Sequence, residues 1–182
     1  MQITESAESF AKERYASAVR KDDVLYLVHL RGVVTRLKSL GISDHEVLAA
    51  AWLHGMINDA KTTFDEIYKR FGSRISVLVL ALSKDTSLSK DQIYRQYLKQ
   101  LKESPVEAKI IKLCDISTSL KDLKNASISK TRRVKQVKKE MHYLNILRPE
   151  LGKAKMQYPG IQSIIDGINQ TIASYDQSPV VL

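Results

Sequence analysis

The chain has 182 residues, is 43% hydrophobic with only 7 Gly and 4 Pro, and carries 29 Lys+Arg against 20 Asp+Glu, a formal net charge of +9. That size suits one compact domain over 1–182 with a sizeable core; the single cysteine, Cys114, excludes an internal disulfide, and no apolar run approaches the roughly 18 residues a bilayer span needs. The opening "MQITESAESFAKERY" lacks the apolar core of a signal peptide, so a cytoplasmic protein is expected, while the basic balance favours an anionic partner: nucleic acid, an acidic lipid surface or a phosphorylated small molecule.

Apolar residues at three- and four-residue intervals predict helices at about 4–20, 24–40, 44–60, 63–71, 73–84, 89–102, 105–124, 129–151 and 159–175, with a loose tail at 176–182. Four Ser/Thr-x-x-Glu/Gln pairs read as capping boxes, in which side chain and backbone satisfy each other's open hydrogen bonds at a helix start: Ser43 with Glu46, Thr63 with Glu66, Ser89 with Gln92, and Ser104 with Glu107. "RISVLVLALS" (74–83) has strand propensity, but it stands alone among helices and reads as a buried helix. Gly55 falls inside the predicted 44–60 helix, where glycine costs about 1 kcal/mol relative to Ala. The basic run "SKTRRVKQVKK" (129–139) recurs at helical spacing without interleaved aromatics and reads as a solvated helix face. The fold class is an all-α compact helical bundle.

No Gly-rich phosphate loop, Cys-x-x-Cys, His-Glu-x-x-His or nucleophile elbow is present, so any chemistry rests on scattered polar residues. Four stand in apolar helical surroundings: His29, His54, Asp59 and Asp115. A carboxylate following Ile110, Ile111 and Leu113 is costly to bury unless it is paired, protonated or metal-bound, so Asp115 needs a partner. Two imidazoles and a carboxylate could hold a divalent ion whose bound water has a lowered pKa; the competing reading for each is a hydrogen-bonded core residue. Trp52 and Cys114 read as core, His45 as exposed, and His142 and Tyr143 as weaker candidates for phosphate contact.

In order and context, His29 in "YLVHLRGVV", His54 ahead of "DAKTTFDEIYKRFG", and Asp115 in "SPVEAKIIKLCD" resemble the HD-domain superfamily, and within it the hydrolase domain of RelA/SpoT-type enzymes and small alarmone hydrolases. The core similarity covers about 5–125, with C-terminal helices at about 129–175, and is weak after about residue 145. The resemblance implies an all-α protein that binds Mn²⁺ or another divalent metal and removes pyrophosphate from the 3′ position of (p)ppGpp. It puts His29, His54 and Asp115 at metal-ligand positions, Asp59 at the acid that positions or activates water, and Arg20, Lys21 and Ser119 at nucleotide-binding positions.

The departures bear directly on activity. Gly55 stands where the superfamily has its name-giving Asp, Asn58 replaces the Glu of a Glu-Asp pair, and Ile116 and Ser119 replace an Arg and an Asn. Gly55 cannot ligate, so a four-residue metal shell falls to three, and Asn58 keeps the shape of the acid without its basicity. Several such losses together fit a naturally degenerate site better than a single engineered change. The expectations are a weakly active nucleotide pyrophosphohydrolase, a pseudoenzyme that binds the nucleotide uncleaved, or an interaction module taking nucleic acid or protein on the basic helix.

Overall fold

The computed structural model describes residues 2–16, 21–59 and 62–182, with side chains at 2–15, 26–58 and 62–182. Among the described residues the secondary structure is entirely helical, in ten segments: α1 (Ile3–Ala16), α2 (Lys21–Ser39), α3 (His45–Leu53), α4 (Met56–Asp59), α5 (Phe64–Phe71), α6 (Ser73–Ala81), α7 (Lys90–Glu103), α8 (Val106–Asp122), α9 (Lys130–Ala154) and α10 (Ile161–Ala173). The expected all-α fold is therefore observed, and "RISVLVLALS" is helical. None of these helices is long and apolar enough to cross a membrane.

Two helices carry the architecture. Every residue of α3 from Val47 to Leu53 is buried, because "VLAAAWL" has small or apolar side chains on all faces; α1, α2, α6 and α8 pack around it. A helix apolar all round belongs in the interior. The second, α8, contacts α2, α3, α6, α9 and α10, and its apolar face (Ala108, Ile111, Leu113, Cys114, Ile116, Leu120) is buried. Trp52 and Cys114 are core residues, as expected, and burial pushes the Cys114 thiol up out of the reactive range.

Local signals behave unevenly. Ser89 and Gln92 form the full capping box, and Thr63 caps α5 by accepting from the Glu66 amide. Ser43 does not cap α3: Asp44 does, accepting from the Glu46 and Val47 amides, because a carboxylate is the stronger acceptor at the positive end of a helix. Ser104 gives its hydroxyl to the Leu101 carbonyl at the end of α7, leaving Pro105 to begin α8 without a side-chain cap. The predicted 44–60 helix is interrupted: α3 ends at Leu53, His54 and Gly55 make a turn, and α4 begins at Met56. Gly55 is a turn residue between two helices, and the helix-interior cost does not apply to it.

Two other glycines have a clear steric task. Gly72 joins α5 to α6 at φ +86°, a conformation side chains disfavour. Gly32 lets α2 approach α8: a Cβ there would lie 2.9 Å from Thr118 Cγ2. Arg36 bonds across the same seam, its Nε donating to Ser117 Oγ at 3.1 Å. One helical turn before Gly32 is His29, and one turn before Thr118 is Asp115, so the close approach brings those two together.

Candidate functional site

His29 on α2, His54 at the C-terminus of α3 and Asp115 on α8 converge, each offering one ligand atom, with these atoms all within 4.8 Å of one another. His29 Nε2 lies 2.9 Å from Asp115 Oδ1, and His54 Nε2 lies 3.7 Å from the same oxygen. The three elements meet because α3 and α8 are the buried helices of the fold and α2 packs on both.

The other nitrogen of each ring is anchored. His54 Nδ1 is 2.7 Å from the Ala51 carbonyl, which can only accept, so that nitrogen carries a proton and the ring is held with Nε2 toward Asp115. His29 Nδ1 is 3.1 Å from Asp122 Oδ2, two turns further along α8. An imidazole held at one nitrogen by a carbonyl or carboxylate, with the other aimed at a shared point, is the arrangement metal-binding histidines use. The donor set therefore fits a divalent ion, with two imidazole nitrogens and one carboxylate. Tyr26, three residues before His29, stacks on its ring at 5.4 Å between centroids.

Charge is balanced locally. Burial disfavours ionised Asp115, yet Lys112, whose Nζ lies 2.5 Å from Oδ2, together with His29 and His54, outweighs it and holds the carboxyl well below the usual range. Burial likewise opposes a charged Lys112, and Asp115 reverses that, raising the ammonium well above its ordinary value. For His29, burial lowers the pKa but the hydrogen bonds to Asp115 and Asp122 prevail and raise it to about 9.

These groups open onto a cavity of about 1270 Å³. Gly55 and Asn58 line it on the histidine side; Lys84, Arg132, Lys135 and Lys139 line it elsewhere. The basic run is thus not simply a solvated face, as the sequence reading had it: Arg132, Lys135 and Lys139 recur at three and four residues and share the face of α9 toward the cavity. Lys84 and Lys112 are further cations that the sequence reading missed. For Lys112 a signal was available, since Lys112, Asp115, Ser119 and Asp122 form one polar stripe at helical spacing along an otherwise apolar α8.

The remaining sequence candidates divide. Ser119 lines the cavity, its hydroxyl 3.4 Å from Asp115 Oδ1. Asn58 is committed elsewhere: its amide donates to the Lys84 carbonyl at 2.8 Å and its carbonyl accepts the Lys84 amide at 2.9 Å. Ile116 is fully buried. His45 is exposed and near Thr4; His142 is exposed and packs near Tyr94, while Tyr143 is buried beneath the lysines. Arg20 and the side chains of Lys21 and Asp59 lie outside the described residues.

Comparison with known proteins points the same way. A family profile for the HD domain matches residues 7–144. The guanosine-3′,5′-bis(diphosphate) 3′-pyrophosphohydrolase MESH1 of Mus musculus is 37% identical over 125 residues, covering 67% of this chain and 69% of that protein. The guanosine-3′,5′-bis(diphosphate) 3′-pyrophosphohydrolase of Aquifex aeolicus is 32% identical over 135 residues, covering 74% of this chain; the chain spans only 19% of that longer enzyme. The solved structure of a metazoan ortholog of SpoT, described as hydrolysing ppGpp, superposes with a TM-score of 0.79 over 96% of both chains at 23% identity, a likeness of fold.

Proposed function

Because the chain belongs to the HD-domain family, we propose that it is a (p)ppGpp-hydrolase-like protein whose cavity binds a phosphorylated guanosine nucleotide and in which hydrolysis is severely impaired. The single observation carrying this reading is the state of the cavity: cations line it, while Asn58, which replaces the Glu of the Glu-Asp pair, has both amide atoms bound to the Lys84 backbone.

In this reading His29, His54 and Asp115 would hold a divalent metal, which would lower the pKa of water at the site and polarise the phosphoryl group. The chain's own contribution to that attack is depleted. Gly55 adds no carboxylate, so Asp115 is the one anionic donor of the triad, and one of its oxygens is already bonded to Lys112. Asn58 cannot accept a proton, which removes a contribution of about 10²–10⁴ in rate where a general base is used. Asp59 remains as the acid available nearby in sequence. Lys112 stays protonated and fixes the rotamer of Asp115, while Asp122 fixes the ring of His29.

Calorimetry with guanosine tetraphosphate, in chelator and then with added Mn²⁺, combined with chromatographic detection of released pyrophosphate, tests the reading. Binding is expected in both conditions, with Mn²⁺-dependent turnover at least about a hundredfold below that of an HD hydrolase with an intact His-Asp and Glu-Asp set. Absence of binding in either condition, or turnover equal to the intact enzyme, overturns it.

A further inference from the structure

Beside the histidine cluster, three ammonium groups crowd one aromatic ring. Lys112 Nζ lies 5.0 Å from the Tyr143 centroid, Lys84 Nζ 5.6 Å and Lys139 Nζ 5.9 Å; Lys84 is also 4.9 Å from the Tyr97 ring. They arrive from three places: the loop after α6, α8 and α9. Ring faces attract cations but do not neutralise them. Lys112 is paired with Asp115. The other acid at hand is the buried Glu140: its Oε1 accepts from Gln136 Nε2, while its Oε2, 3.9 Å from Lys112 Nζ and beyond hydrogen-bond reach, has no hydrogen-bond partner. No ion pair to a carboxylate is found for Lys84 or Lys139 among the described residues.

We propose that Lys84 and Lys139, flanking the buried Lys112 around Tyr143, form a pyrophosphoryl-binding subsite that operates without metal, next to the histidine cluster and joined to it through the Lys112–Asp115 pair.

The excess of cations over acids, even with the buried Glu140 beneath the lysines, favours an anion of more than one charge. Five cations, Lys84, Lys112, Arg132, Lys135 and Lys139, line the cavity against two carboxylates, Asp115 and Asp122. Both carboxylates are occupied by His29 or Lys112. Compact ammonium groups on separate elements suit the several oxygens of a pyrophosphoryl group better than a single carboxylate, and charge-assisted hydrogen bonds to it are the strong kind. Lys84 is presented rigidly, because both backbone polar groups of that residue are clasped by the Asn58 amide. The local crowding is visible in its acidity: burial, then Lys139 and Lys112, lower its pKa to about 8, which a bound anion reverses. The residue that replaces the family's Glu thus positions one member of this subsite. The inference rests on the nucleotide-pocket reading only for the source of the anion, which is either the diphosphate end of a nucleotide or free pyrophosphate.

The two sources are separated by titrating the chelator-treated protein with inorganic pyrophosphate and, in parallel, with guanosine tetraphosphate, using wild type, Lys84→Gln, Lys139→Gln and the double variant. Both ligands are expected to bind wild type, with about tenfold loss in each single variant and about a hundredfold loss in the double. Pyrophosphate binding with no nucleotide binding upholds the subsite and overturns the nucleotide reading. Nucleotide binding that the variants leave unchanged overturns the subsite and spares the nucleotide reading; binding of neither ligand, or binding only after Mn²⁺ is added, overturns the subsite. Amine acetylation of the wild type, read by mass spectrometry, needs no variant: pyrophosphate is expected to protect Lys84 and Lys139 but not Lys153, whose side chain is 76% exposed. Equal labelling of all three with and without pyrophosphate overturns the proposal.

Discussion

The two sides of the cavity differ in how they are built and in what they have kept. The histidine side stands on α2, α3 and α8, the most deeply packed helices, and retains three converging donors with anchored orientations. The lysine side draws on a loop and on α9, whose Arg132 and Lys135 are exposed, and it accumulates positive charge with few acids to balance it. A metal site tolerates little loss, since each missing donor lowers affinity. An anion site made of several point charges tolerates rearrangement. Substrate holding and substrate cleavage are therefore separable in this cavity.

The contrast can be broken most forcefully at Asp115, where the two sides meet. Asp115→Ala leaves the buried Lys112 ammonium without its partner and is expected to cost about 3–5 kcal/mol, measured by denaturant unfolding. Gly55→Asp should restore an anionic donor beside His54 and raise Mn²⁺ affinity at least about tenfold by calorimetry. No gain in affinity would show that the triad is not a metal site.

A smaller effect follows from pH. Lys84 releases its proton at about 8 in the folded protein against 10.5 as an unperturbed lysine, with Lys139, Lys112, Glu140 and Asp115 around it. Pyrophosphate affinity is expected to be greatest below that pH and to fall severalfold as pH rises through it. Between 8 and 10.5 the unfolded chain binds more protons at this site than the folded one, so this group's contribution to folding stability rises with pH across that window. Smallest of all, Asn58→Asp replaces an amide donor by an acceptor facing the Lys84 carbonyl, costing about 1 kcal/mol in thermal unfolding.

Much of the fold could be read beforehand because helix-forming signals are local: caps such as Ser89 and Thr63, apolar periods, and an all-apolar "VLAAAWL". The errors arose where two local signals compete, as at Ser43 against Asp44, or where one residue serves the preceding element, as Ser104 does. In the candidate site, His29, His54 and Asp115 were visible as polar residues in apolar settings, and they converge as expected. The lysine cluster was hidden for a physical reason: lysines are so frequent on helix surfaces that only tertiary structure tells which of them surround Tyr143. Asn58 looked like a weakened base, whereas its bonding makes it a fastening for the next loop.

That fastening constrains any attempt to place acids at positions 55 and 58. An acid restored at position 58 would repel the Lys84 carbonyl it now holds and release the loop that carries a phosphate-binding lysine. Repair would have to proceed in order, first giving the loop another hold, then returning the carboxylate at 55, and only last the base at 58.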